Sequence, residues 1–179
     1  MGIKGLSMDE INSFSLLEKF QYNNLDYILW FDDEEVRIGF SQIPLISNLL
    51  INKKIMSKEE IKEIKKKPFI LNNDIKVFLE DKIQDEIYIF EINKGYRYDG
   101  ASIPKFAWFL VGSKEDARFK VASLLHDVLC ENHGFVENDR YFSTKIFDKC
   151  AKVGGCCAFV RFLIFHSVDN FQKFQKWKK

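Results

Sequence analysis

Residues 121–130 read Val-Ala-Ser-Leu-Leu-His-Asp-Val-Leu-Cys, and this stretch decides how the second half of the chain folds. Its apolar residues recur at intervals of three and four, which is the spacing of a helix packed along one side. They are Val121, Leu124, Leu125, Val128 and Leu129. His126 and Asp127 are consecutive, so they lie about 100° apart on opposite margins of that apolar stripe. We therefore expect both polar side chains to reach the edge of one cleft.

The N-terminal half has the alternation and turn residues of antiparallel strands. Segments rich in aromatic and β-branched residues come in two pairs, each separated by polar turn residues, as in hairpins. The pairs span residues 25–31 with 35–40, and 74–80 with 86–92. Between them, Ser57 and Glu60 form a capping-box pattern ahead of a short basic helix that ends at Pro68. This half is therefore expected to form a small sheet.

Three further helices complete the expected fold. One short amphipathic helix is predicted over residues 7–20, and another helix from about Asn138 to Cys150. The last, from about Cys156 to Val168, is apolar almost all round and is therefore expected to form the core. We predict one α+β domain over residues 1–179. In it, a small antiparallel sheet precedes a helical C-terminal half, which contains a helix hairpin carrying histidine and aspartate.

Composition excludes several classes of protein. Lys and Arg total 27 and Asp and Glu total 26, so no strong field favours nucleic acid, and no nucleic-acid partner is expected. The start of the chain lacks the basic end and unbroken apolar stretch of a secretory signal. The late apolar helix is interrupted by Arg161 and falls short of the roughly 20 residues that cross a bilayer. The four cysteines form no C-x-x-C pair, as suits reduced thiols. We expect a cytoplasmic protein without a transmembrane segment.

His126 and Asp139 are the candidate catalytic pair. Asp139 lies on the inward face of its helix, and a hairpin through residues 132–137 would bring it towards His126. A carboxylate on one ring nitrogen would raise the basicity of the other, which prepares a histidine to take a proton from water. Asp127 would remain free for a cation. Two alternatives stay open: Asp139 caps its helix, or the His-Asp pairs serve only as structural ties.

Residues 99–104, Asp-Gly-Ala-Ser-Ile-Pro, form a glycine-containing loop after a strand. Such a loop can present carbonyl oxygens together with a carboxylate, the ligands that calcium prefers. Asp127, Asp99 and Gly100 are therefore the candidate metal residues. The alternative is a plain turn, since Asp-Gly and Pro are ordinary turn residues.

These motifs together resemble a family, the phage-borne domain of unknown function 1353. Its loop G-F-x-[TY]-D-x-A-S-[IV]-P corresponds to residues 95–104, and its L-H-D-x-L-Y helix to residues 125–130. The D-x-x-F element that follows reads Asp139 to Phe142, and a late helix carries Arg161, so the resemblance covers about residues 86–165. Cys130 stands where the family has tyrosine. The resemblance implies association with a phage, either in the host cytoplasm or in the virion.

A second resemblance is to secreted microbial phospholipases A2, which carry a D-G-C-S loop, a C-x-x-H-D-x-x-Y helix and then D-x-x-F. It implies that His126 is the general base, oriented by Asp139. Asp127 and the Asp99 loop would then bind calcium, which would polarise the ester carbonyl of a phospholipid. The cysteines that link loop and helix in those enzymes correspond to Ala101 and Ser123, so that disulfide is absent.

Three functions follow from these patterns. The first is a calcium-assisted ester hydrolase of the phospholipase A2 kind, in a phage-associated protein. The second is a non-enzymatic phage accessory protein that binds a phage or host protein during virion assembly or host takeover. The third, an HD-type phosphohydrolase, is disfavoured because no histidine precedes His126 to supply the upstream metal ligand.

The end of the chain carries one more pattern. Three aromatic residues, Phe171, Phe174 and Trp177, alternate with lysines over residues 171–179. Such a segment can rest on an anionic lipid surface. The alternative is a solvated tail that packs one aromatic face on the core.

Overall fold

A five-stranded antiparallel sheet forms the first of two compact units in the chain. The computed structural model describes residues 19–22, 25–42, 44–53, 55–101, 112, 115–132, 134 and 139–174. Contacts divide the chain into one unit of residues 1–47 and 70–96 and another of residues 48–69 and 97–179. The expectation of a single domain over 1–179 stays a prediction.

The sheet of the first unit confirms the predicted hairpins. Its strands are β1 (Lys19–Tyr22), β2 (Leu25–Asp32), β3 (Val36–Phe40), β6 (Ile75–Asp81) and β7 (Glu86–Ile92). They are hydrogen-bonded in the order β1-β2-β3-β6-β7, and each of the four pairs is antiparallel. The short strands β4 (Ile46–Asn48), β5 (Phe69–Leu71) and β8 (Arg97–Tyr98) lie where the chain passes from one unit to the other.

Aspartate side chains shape both hairpin turns. Between β2 and β3, Asp33 Oδ1 accepts from the backbone N–H groups of Glu35 and Val36, at 2.9 and 3.0 Å. Between β6 and β7, Asp81 Oδ1 accepts in the same way from Ile83 and Gln84, at 3.0 and 3.2 Å. A short side chain that accepts from the backbone two and three residues ahead favours a turn. These contacts explain why the strands reverse where the acidic residues occur.

One charged pair is buried in the sheet. Arg37 in β3 lies opposite Glu80 in β6, and Arg37 Nη1 is 3.2 Å from Glu80 Oε2. Arg37 and Glu80 are only 5% and 2% exposed. Burial raises the pKa of Glu80, because it disfavours the charged carboxylate, whereas Arg37 acts in the opposite direction. The alternating pattern predicted the strands but not this pair.

Four helices lie in the second unit among the described residues: α1 (Lys58–Lys66), α2 (Ala117–Glu131), α3 (Asp139–Val153) and α4 (Ala158–Phe174). The predicted capping box begins α1: Glu60 N donates to Ser57 Oγ, and Ser57 N donates to Glu60 Oε2. The predicted N-terminal helix lies outside the described residues except for Lys19 and Phe20, which belong to β1. The α+β class is confirmed.

Helices α2 and α3 form the predicted antiparallel hairpin. Near the start of α2, the Phe119 ring stacks on Phe147 with 6.4 Å between centroids. Near the end of α2, Cys130 Sγ lies 3.9 Å from Ser143 Oγ. The predicted stripe is buried at Leu124, Leu125, Val128 and Leu129, whereas Val121 is only partly buried.

The apolar helix α4 is not the core that its composition predicted. Val160 and Ile164 are buried, but three phenylalanines are more than half exposed. They are Phe159 at 63%, Phe162 at 61% and Phe171 at 55%. Only one side of α4 packs against α3, and Arg161 Nη1 binds Asp148 Oδ2 of α3 at 2.8 Å. The apolar residues on all sides of α4 therefore include an exposed apolar face.

Gly154 permits a close approach between the α3–α4 turn and the start of α2. A Cβ atom at this position would lie 2.2 Å from the backbone oxygen of Arg118. We expect Gly154→Ala to lower the free energy of unfolding by about 3 kcal/mol, because backbone atoms must move to admit the methyl group. Urea denaturation measures this change.

Gly155 is the matched control for that substitution. Gly155 has a φ of +90° but open space around its Cα. Gly155→Ala should therefore lower the free energy of unfolding by only about 1–2 kcal/mol, which is the cost of placing alanine in the left-handed conformation. A Gly154→Ala variant as stable as Gly155→Ala would show that the close approach imposes no constraint.

Candidate functional site

Helix α2 places His126, Asp127 and Cys130 around one cavity. The His126 and Asp127 side chains are 15% and 20% exposed, as expected for the margins of a buried stripe. His126 Nδ1 lies 3.6 Å from Asp127 Oδ1. Cys130 is one turn further along the same face, with Sγ 3.8 Å from His126 Nδ1 and 3.7 Å from Nε2. The imidazole therefore has a carboxylate and a thiol as neighbours.

Asp99 lies beside Asp127, but it approaches through its backbone N–H rather than through the oxygen atoms that the calcium prediction requires. The backbone N–H of Asp99 donates to Asp127 Oδ2 at 3.2 Å. Gly100 follows with a φ of 83°, a left-handed conformation that suits glycine. One oxygen of the Asp127 carboxylate thus faces the loop while the other faces His126, which fixes the orientation of the carboxylate.

Gln172 of α4 is a site residue that sequence reasoning missed. Its side chain is buried, with Nε2 2.8 Å from His126 Nε2 and 3.2 Å from Cys130 Sγ. On the other side of the amide, Thr144 Oγ1 donates to Gln172 Oε1 at 2.9 Å. The available signal was weak: Gln172 follows Ile164 and Val168 at helical spacing, so it is a polar residue on the inward face of α4.

The Gln172 amide can serve both protonation states of His126. In the orientation of the structure its NH₂ group donates to a neutral ring at Nε2, which leaves the ring proton on Nδ1 facing Asp127. If the amide turns by 180°, its oxygen accepts from a protonated ring and its NH₂ donates to Thr144 Oγ1. That hydroxyl can then donate to the Arg140 carbonyl, 3.1 Å away. The ring can gain or lose a proton without leaving Gln172 unsatisfied.

The surroundings of His126 favour the charged ring. Burial lowers the pKa of His126, but hydrogen bonds and charge from Asp127 and Cys130 outweigh it and raise the pKa to about 10. At neutral pH the imidazole therefore carries a proton and faces a carboxylate and a sulfur atom.

The predicted pairing of His126 with Asp139 is wrong in its geometry. Asp139 is the first residue of α3, and its carboxylate accepts from the backbone N–H of Gly134 in the preceding loop. Across the hairpin Cys130 faces Ser143, so Asp139 lies beyond the end of α2, and the residue of α3 that contacts His126 is Phe147. In the described part of the chain, the His126 ring nitrogens contact Asp127, Cys130 and Gln172.

Calcium stays a prediction for Asp127, Asp99 and Gly100. Calcium takes six to eight oxygen ligands, whereas both oxygens of Asp127 already face protein groups. Among the described residues, no group of three or more His, Cys, Asp or Glu side chains could hold a metal ion. These residues therefore offer only part of a calcium shell.

The cavity beside His126 has a volume of about 230 Å³. Four polar residues, His126, Asp127, Cys130 and Gln172, line it together with Gly100, Ala101, Phe147, Val168 and Phe171. A small pocket with apolar walls and a few convergent polar groups is the usual form of a ligand site.

Comparison with protein families places the chain in a known group. A family model described as protein of unknown function (DUF1353) matches residues 75–168, just over half of the chain. The chain belongs to this family. The DUF1353 match includes Asp99, His126, Asp127 and Asp139 and confirms the first resemblance, whereas Gln172 lies beyond it. No curated protein and no solved structure matches the chain. Among the described residues, no helix is both long enough and apolar enough to cross a membrane.

Proposed function

We propose that the chain is an ester hydrolase in which His126 transfers the proton. The observation that carries this proposal is the position of His126 in the cavity wall, with Asp127 beside Nδ1 and Gln172 beside Nε2. A proton-transfer group must be within reach of the reacting atoms and must be supported in both protonation states. His126 lines the cavity, and the Gln172 amide can bond the ring in either protonation state.

The chemistry assigned to His126 is transfer of a proton to and from oxygen. The neutral ring takes a proton from the water whose oxygen bonds to the acyl carbon, and the protonated ring gives a proton to the alcohol when its C–O bond breaks. Asp127 stabilises the charged ring and is held in place by the Asp99 N–H. This assignment gives Asp127 the orienting role that the phospholipase resemblance gave to Asp139.

The proposed substrate class is a carboxylic ester, and the more specific proposal is a phospholipid. A volume of about 230 Å³ suits the reacting ester and a short acyl group. A lipid chain would extend past Phe171, which lines the cavity and is 55% exposed. The phage association implied by the family resemblance belongs to the same proposal.

An ester panel tests the proposed function. We expect the protein to hydrolyse p-nitrophenyl acetate and butyrate faster than p-nitrophenyl palmitate, with release of nitrophenol as the measurement. Phosphatidylcholine and phosphatidylglycerol vesicles, with calcium or with chelator, form the second arm, and fatty-acid release is measured there. Hydrolysis that requires calcium would support a metal-binding role for Asp127 and Asp99.

Failure in the panel would be informative as well. Absence of hydrolysis across all chain lengths and head groups, with and without calcium, would contradict the enzyme proposal. The non-enzymatic accessory role would then be the remaining interpretation of the His-Asp contacts.

A further inference from the structure

Cys130 is the nucleophilic side chain nearest to the proposed proton-transfer group. Its Sγ lies 3.7 and 3.8 Å from the two ring nitrogens of His126, because residues four apart on a helix share one face. The thiol also lines the cavity. A nucleophile in contact with a base that a third group orients is the arrangement of covalent catalysis, and here Asp127 orients the base.

Gln172 adds a donor directed at the sulfur. Its Nε2 lies 3.2 Å from Cys130 Sγ, within the range of an N–H to sulfur hydrogen bond. The amide donates to the sulfur in the orientation that serves the neutral ring, whereas the imidazole is the donor beside the sulfur when the ring is protonated. The amide and the imidazole belong to different helices, so the tertiary fold builds this environment.

The other cysteines lack this combination. Cys150 and Cys156 are buried, and burial raises the pKa of both thiols. Cys157 is exposed and does not line the cavity. Of the four cysteines, Cys130 combines access to the cavity with an adjacent imidazole.

We propose that Cys130 is the nucleophile of this site, so that ester hydrolysis proceeds through an acyl thioester. This inference rests on the proposed ester hydrolase function and names its covalent step. It concerns a residue at which this chain departs from the tyrosine of the family motif.

The reaction balances in two halves. In the first, His126 holds the thiol proton, the sulfur attacks the ester carbonyl carbon, and a C–S bond forms. The C–O bond to the alcohol then breaks, and His126 gives its proton to that alcohol. In the second, neutral His126 takes a proton from water, and the resulting hydroxide attacks the thioester carbonyl. The C–S bond breaks, a carboxylic acid leaves, and the thiol–imidazole pair is restored.

Trapping of the thioester tests this step. The experiment uses the full chain with Cys157→Ser, which removes the exposed thiol and leaves the site untouched. The protein is mixed with p-nitrophenyl butyrate, quenched in acid and analysed by intact mass and peptide mapping. We expect one butyryl group on the peptide that contains Cys130, and none after prior treatment with iodoacetamide.

Variants at Cys130 separate this inference from the proposed function. We expect Cys130→Ala and Cys130→Ser to lose at least about 10²-fold in ester hydrolysis, with unchanged helix content by circular dichroism. Cys130→Tyr, which restores the family residue, should also form no adduct. Hydrolysis at the full rate by Cys130→Ala without an adduct would overturn the thioester and leave His126 acting on water. Absence of both hydrolysis and adduct in the unsubstituted chain would overturn both proposals.

The reactivity of the Cys130 thiol can also be measured without an ester. The rate of Cys130 alkylation by iodoacetamide is compared in the Cys157→Ser chain with and without His126→Asn. We expect removal of the imidazole to slow alkylation about 10-fold or more, because the group that takes the proton of the attacking thiol is then missing. An equal rate in the two proteins would overturn the activation of Cys130 by His126.

Discussion

Replacing His126 by asparagine is expected to abolish ester hydrolysis while the helices stay folded. Asparagine has a similar size and retains an amide that can hydrogen-bond to Gln172, so the free energy of unfolding should fall by only about 1–2 kcal/mol. It cannot transfer a proton, and loss of a positioned acid-base group lowers a rate by roughly 10² or more. Nitrophenol release and thermal unfolding of the same preparation measure the two effects.

His166→Asn is the matched control, since His166 is the exposed histidine of α4. It contacts the rings of Phe162 and Phe165 and does not line the cavity. We expect this variant to retain the rate of the unsubstituted protein. Equal activity of His126→Asn and His166→Asn would remove His126 from the reaction.

Substituting Arg37 by methionine should give the largest loss of stability, about 3–5 kcal/mol. The change leaves the Glu80 carboxylate 2% exposed without the guanidinium that lies 3.2 Å away. Removal of one partner of a buried ion pair costs far more than the pair itself contributes, because the remaining charge is desolvated without compensation. Urea denaturation should show a lower midpoint at an unchanged slope.

The sheet provides its own control in the exposed pair of Lys76 and Glu91, which are also cross-strand neighbours. Their side chains are 40% and 61% exposed, so Lys76→Met should cost less than about 1 kcal/mol. The double variant Arg37→Met, Glu80→Leu should recover most of the stability, since an apolar pair of similar volume replaces the charges. An Arg37→Met protein as stable as Lys76→Met would show that the buried pair is unimportant.

Local patterns predicted most of the fold that the structure describes. The paired strands, the capping box at Ser57 and the helix hairpin follow from periodicity and turn chemistry, which act over a few residues. The role of α4 was mispredicted because composition does not say how many sides of a helix are covered. Burial of Val160 beside exposure of Phe159 depends on which neighbours pack against the helix.

The candidate site was predicted in part. The proximity of Asp99 and Asp127 was expected only as part of a calcium site, and its form, a backbone N–H that donates to the carboxylate, was not predicted. The partner of His126 across the hairpin could not be predicted, since it depends on how far α3 extends past the end of α2. Gln172 comes from a third helix, 46 residues along the chain from His126, and no local pattern indicates such a contact.

The bounds of the family match do not coincide with the bounds of the five-stranded sheet. The match begins at residue 75, where β6 begins, and ends four residues before Gln172. A fragment cut at those bounds would lack β3, so the backbone N–H and C=O groups of β6 that β3 satisfies would face water as an open edge. Open edges of this kind recruit other strands, which leads to aggregation. The segment shared by the family is therefore smaller than the segment that has to be expressed.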